Sequence, residues 1–335
     1  MIPADSYRGE VMLSGADEPR PLKGEGSRHG HRRFRAVVRS PPGHGRPSST
    51  SLLFLLTFVF SWGWWGLWQA LQMPTPLIYV RTAGPTIAAF VVLAITLGRP
   101  GVLGLLRSYV HWRVGVQWYL VALIGVPVLG FLSFAVVPGA LADFVAPGWS
   151  FIPAYVSVFA YSVFLAGGPL LEEGGWRGFA LPRLQRLRGP LVGTLILGVF
   201  WASWHLPAFF GPLSLAGPDD TFLSTGINVV EHAISVIGFS YLMTWVFNNT
   251  QGSVLMAILL HAGFDASAMF DAIFPSIAKI ASFSPISLNL GTAIVFGFAA
   301  LVIIIATRGR LSYQRCYQRY EREVELPPAT SRRVR

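Results

Sequence analysis

Residues 151–177 read FIPAYVSVFAYSVFLAGGPLLEEGGWR: no charge from 151 to 171, then two adjacent acids, Glu172 and Glu173, and Arg177 four residues after the second. Acids are costly in a lipid-facing position, so a pair that ends a long apolar run marks a polar cavity inside a membrane protein. Later apolar runs repeat the pattern with His205 and with the pair His261 and Asp265.

Composition agrees with a membrane chain. Hydrophobic residues make up 53% of the 335 and charged ones 13%, and the mean hydropathy is +0.52, values outside the soluble globular range. The fold class is therefore all-α, a polytopic helix bundle. Eight apolar stretches approach the roughly 20 helical residues that a bilayer requires. They lie near 51–73, 77–97, 117–138, 151–173, 190–212, 228–247, 253–271 and 287–306. Residues 1–50 form a basic arm too polar to build a core and are expected to be disordered. Residues 51–306 form the bundle and 307–335 a basic tail. The net charge of +10 is mostly arginine in the two ends and the short loops. That distribution is topology signal and not a nucleic-acid surface, and with an even number of spans it puts both termini in the cytoplasm of a cell-membrane protein. The single cysteine, Cys316, excludes a disulfide framework and a thiolate metal cage.

Gly189-Pro190 breaks the helical pattern after Arg183, Arg186 and Arg188, which predicts an antiparallel hairpin between the fourth and fifth spans. Glu172 lies 17 residues before Gly189 and His205 lies 16 after it. Two helical arms of that length bring both groups to similar depth, about 25 Å from the turn. His261 and Asp265, four apart, project from one helix face, as do Glu173 and Arg177.

At these residues the chain resembles the CPBP family of intramembrane proteases, which includes type II CAAX prenyl endopeptidases and bacteriocin-immunity-like proteins. Glu172-Glu173-Gly174-Gly175-Trp176-Arg177 is similar to its EExxxR motif, Trp201-Ala202-Ser203-Trp204-His205 to FxxxH, and His261-Ala262-Gly263-Phe264-Asp265 to HxxxN/D. The resemblance covers about 150–272, a CPBP-like core of four helices, and implies cleavage near the C-terminus of a prenylated or otherwise membrane-associated protein. Trp201 replaces the family's Phe, and Asp265 stands where the prenyl endopeptidases commonly carry Asn. An anionic Asp cannot donate a hydrogen bond as an amide does.

Peptide hydrolysis needs an activated water, an oxyanion stabiliser and a proton donor for the leaving amine. The candidate catalytic set is Glu172, Glu173, His205, His261 and Asp265, with Arg177 and Trp201 as structural support. Glu172 serves as general base and His205 helps to hold the water. His261 polarises the carbonyl or stabilises the oxyanion, and Asp265 orients His261 or contributes directly if protonated. Glu172, His205 and His261 are also a two-histidine, one-carboxylate set of the hydrolytic zinc type, so a divalent metal is one cofactor they could hold, against a metal-free glutamate/histidine mechanism. The implied partners are membrane lipids and a protein or peptide substrate. A catalytically silent scaffold or immunity-like protein of the same fold is the alternative, and a proton-coupled transporter a third. Glu231-His232, outside the three motifs, is left out of the catalytic list.

Overall fold

The computed structural model describes residues 48–164, 168–210, 221–284 and 286–314. Residues 1–47 of the expected 1–50 arm and most of the basic tail fall outside them, while Ser49 and Thr50 already belong to the first helix. Among the described residues the chain is helical throughout, a polytopic membrane bundle. In order, α1 is Ser49–Ala70; a 3-10 stretch, Thr75–Ala83, leads into α2, Gly84–Thr96; α3 is Gly98–Tyr109; α4, Val116–Leu120, passes through a π-turn into α5, Val126–Ala135. Then come α6 (Phe151–Phe164), α7 (Gly168–Gly175), a π-turn over Trp176–Ala180, and α8 (Leu181–Trp204). The last four are α9 (Phe222–Asn249), α10 (Val254–Ala266), α11 (Ile277–Phe283) and α12 (Leu288–Ala306).

Local signals set several of these starts. Ser48, Thr221, Ser253 and Ser287 each accept a hydrogen bond from the backbone N–H three residues on, capping α1, α9, α10 and α12. A helix entering lipid cannot leave its first N–H groups to water, so such caps are worth most here. Large apolar side chains such as Leu55, Val59, Ile95, Phe298 and Ile305 remain exposed on the outside, as a lipid-facing surface requires.

Seven helical runs are long and apolar enough to cross a membrane. Among the described residues these agree with the expected eight spans once the Gly168–Trp204 run is counted as two arms. Of the expected fourth span, 151–173, the described residues form α6, of 14 residues, and the start of α7, which carries Glu172. Gly168 and Pro169 open that helix, where a proline lacks no hydrogen bond that the first turn would use.

The fourth run, Gly168–Trp204, counts as one of 37 residues but reverses direction at Gly189. There φ is 77° and ψ 165°, a region open essentially to glycine. A Cβ on Gly193 would lie 2.8 Å from the backbone of Leu184 and Gln185. Nine residues along a straight helix would separate them by roughly 13 Å. The two arms therefore run antiparallel, as the Gly-Pro break predicts.

Around this hairpin, α2 packs on α7, α9 on α8 and α12, and α10 on α6 and α7. Close approach depends on the glycines inside the acidic motif. A Cβ on Gly175 would fall on the Pro85 backbone, and one on Gly174 would fall on Tyr109 Oη and Thr86 Oγ1. Gly189→Ala should lower stability by about 1–3 kcal/mol through backbone strain alone, since no atom lies within 4 Å of its added Cβ. The check is the thermal unfolding midpoint in detergent, against Gly226→Ala, which also meets open space but sits in ordinary helix.

Candidate active site

Glu172 and Glu173 are one residue apart on α7 and therefore face different neighbours. Glu173 is fully buried, as is Arg177 one turn on. Arg177 Nη1 donates to Glu173 Oε1 at 3.0 Å, the i,i+4 pair expected from spacing. The same oxygen lies 2.8 Å from His261 Nδ1 on α10. Arg177 also reaches Ser240 Oγ on α9 at 3.2 Å and lays its guanidinium 4.0 Å over the Trp201 ring. A buried charge of this kind is tolerable only when its partners are fixed. Four segments are fixed by it.

Glu172, 3% exposed, points the other way. Its Oε2 accepts from the Trp201 indole at 3.0 Å and from that of Trp176 at 3.4 Å. Trp201 thus does more than pack: it supplies a donor that the family's phenylalanine lacks. The second oxygen, Oε1, approaches Gly168, where an added Cβ would lie 3.5 Å from it and 3.8 Å from Asp265 Oδ2. The two carboxyl groups converge on that bare backbone.

His205 ends α8. Its Nδ1 lies 2.8 Å from the Trp201 carbonyl, an acceptor only, so Nδ1 carries the proton and Nε2 is left with its lone pair in the neutral ring. The Trp201 indole stands between the two histidines, with ring centroids 5.9 Å from His205 and 5.2 Å from His261. Asp265 is the open edge of the cluster, its side chain 36% exposed. Its Oδ1 is 3.7 Å from His261 Nε2, too long for a hydrogen bond. Its Oδ2 accepts instead from Ser162 on α6 at 2.6 Å.

All seven residues named from sequence thus gather on α7, the π-turn after it, α8 with its terminal His205, and α10. Sequence reasoning missed several neighbours. Ser162 and Ser240 carry no pattern of their own. His232, left out beside Glu231, meets the His205 ring edge-on with centroids 5.0 Å apart, while Glu231 turns away and accepts from Ser287 Oγ at 2.8 Å. Arg81 places its guanidinium 5.1 Å over Trp204, and its position within the expected second span was the signal for it. Beside α7, Tyr109 Oη donates to the Leu170 carbonyl at 3.1 Å. Burial pushes that phenol up to about 12, so it remains a donor at neutral pH.

A zinc ion on Glu172, His205 and His261 would need three donors about 2.0–2.2 Å from one point. Among the described residues no three His, Cys, Asp or Glu side chains are grouped to hold an ion. As arranged, the set does not fit a three-ligand cage, and its chemistry is derived from the side chains alone.

The family model of Rce1-like type II CAAX prenyl endopeptidases matches residues 153–267. That segment runs from α6 through α10 and holds the whole convergent cluster. Over that segment the chain is similar to the CAAX protease (CPBP) family. A curated relative, CAAX prenyl protease 2 of Methanococcus maripaludis, is 25% identical over 224 residues, 63% of this chain and 80% of the relative. The shared acceptor Glu173 is a structural demand of this buried cluster. Arg177→Met should destabilise the protein by about 3–5 kcal/mol by leaving a buried charge unpaired. The double variant Glu173→Gln/Arg177→Met should recover part of that loss, read as thermal midpoints in detergent.

Proposed function

We propose that the protein is an intramembrane endopeptidase that hydrolyses a peptide bond near the C-terminus of a membrane-associated, CAAX-type protein. The observation that carries the reading is the convergence of three separate polar motifs on one pocket, joined by the Trp201–Glu172 and His261–Glu173 hydrogen bonds. Membrane insertion alone demands no such meeting.

In this reading Glu172 takes a proton from water through Oε1, the oxygen that the two indoles leave free. His205 Nε2 accepts the water's other hydrogen and aims its lone pair. The hydroxide attacks the scissile carbonyl, and the resulting oxyanion receives an N–H from His261. In its doubly protonated form that ring donates from Nδ1 to Glu173 and from Nε2 to the oxyanion. The C–N bond then breaks, and the proton held by Glu172 passes to the departing amine. Glu173 is enclosed and acts through His261, so it is a positioning residue, with Arg177 and Ser240 behind it.

An apolar groove of about 500 Å³ runs beside Leu170 and Leu171, lined also by Phe90, Leu103 and Leu106. It lies directly before Glu172 in the chain, and its chemistry suits an isoprenoid anchor on the substrate. The arginine-rich short loops and tail support cytoplasmic termini.

Membranes containing wild type should yield polypeptide termini that vanish with Glu172→Gln and with His205→Ala at equal protein levels. Unchanged termini in both variants would return the chain to the scaffold reading. Trp201→Phe should leave the fold intact and lower kcat roughly tenfold, the effect of losing about 1.5 kcal/mol of hydrogen bonding to a charged acceptor, as measured on a peptide that wild type cleaves.

A further inference from the structure

Arg81 enters the bundle from the 3-10 stretch before α2, outside the segment that the family match covers. Its guanidinium lies between two indoles, 5.4 Å from the centroid of Trp65 and 5.1 Å from that of Trp204. Its Nε is buried and has no hydrogen-bond partner, and the same is true of Trp204 Nε1 on the ring beneath it. Both atoms are donors only. No carboxylate among the described residues pairs with Arg81 within 4 Å. An arginine held inside a membrane protein between aromatic faces, with donors unspent, is arranged to receive an anion from outside the chain.

The place is next to the reaction. The Trp204 ring stands 4.9 Å from His205. Trp62 fixes the end of α8 there by donating from its indole to the Trp204 carbonyl at 3.1 Å. A peptide cut near its end brings one anion of its own to this depth, the terminal α-carboxylate. A planar guanidinium recognises that group through paired N–H bonds.

We propose that Arg81, with the Trp204 indole N–H, is the receptor for the free C-terminal carboxylate of the substrate, so that the enzyme measures its cut from the chain end. This rests on the endopeptidase reading. Hydrolysis itself uses Glu172, His205 and His261. Arg81 sets which peptides reach them.

The test compares two membrane-anchored peptides of one sequence, one ending in a free acid and one in a carboxamide, with the full chain in proteoliposomes. Wild type should cleave the acid with at least tenfold higher kcat/KM, the difference lying in KM. Arg81→Gln should cut both at the amide's rate, Arg81→Lys should keep part of the preference, and Trp204→Phe should reduce it while keeping the ring. Equal cleavage of acid and amide by wild type, with both lost in Glu172→Gln, would overturn the receptor and leave the protease standing. Cleavage of neither peptide by wild type would remove both. Should Arg81→Gln lower the two rates by the same factor, the residue only braces Trp65 and Trp204 and the proposal fails. The wild-type comparison decides the matter even if a variant does not fold.

Discussion

One oxygen atom, Glu173 Oε1, accepts from Arg177 on one side and meets His261 on the other. Neither charge has water to fall back on, since Glu173 and Arg177 are both fully buried. A carboxylate and a guanidinium removed from water tolerate little displacement, because each lost contact is replaced by nothing. The position of α10 against α7 is therefore held by electrostatics, where apolar packing in lipid would allow sliding. The histidine that the reaction uses is placed by the same atom that neutralises the arginine.

Steric permission completes what the charge begins. Gly174 and Gly175 follow the acids directly and allow Pro85, Thr86 and Tyr109 to press against α7. Any side chain there would push α2 outward and take the groove with it. The reversal at Gly189 then returns α8 along α7, so that Trp201 meets Glu172 twenty-nine residues away. Short-range backbone geometry thereby produces a long-range contact.

Much of this was legible in the chain. Four-residue spacing gave Glu173–Arg177 and His261–Asp265 because a helix leaves no other geometry for those offsets. Gly189-Pro190 announced the hairpin because the local backbone requires glycine whatever surrounds it. The bounds of the fourth span are harder to see: residues 151–171 are uniformly uncharged, so composition alone does not show that the helical run carrying Glu172 continues to the Gly189 turn. Trp201 was read as a packing aromatic, since sequence shows a ring but not the direction of its N–H. Ser162 and Arg81 depend on tertiary neighbours contributed by other helices, and no periodicity encodes them. A lone arginine within an expected span was nonetheless a visible anomaly.

Asp265 shows how the pocket accommodates a side chain that cannot imitate the amide found at this position in prenyl endopeptidases. An asparagine could offer an N–H toward an oxyanion; an ionised aspartate offers only acceptors. Ser162 occupies one of them, Oδ2, at 2.6 Å. The other, Oδ1, is left toward His261 Nε2 at 3.7 Å, where it attracts a proton on that ring without capturing it in a hydrogen bond. An N–H held near a carboxylate but not bonded to it is free to turn toward a stronger acceptor formed during reaction. In the proposed chemistry the charge of Asp265 therefore works through the imidazole, and a loss of direct donation is offset by a better donor beside it.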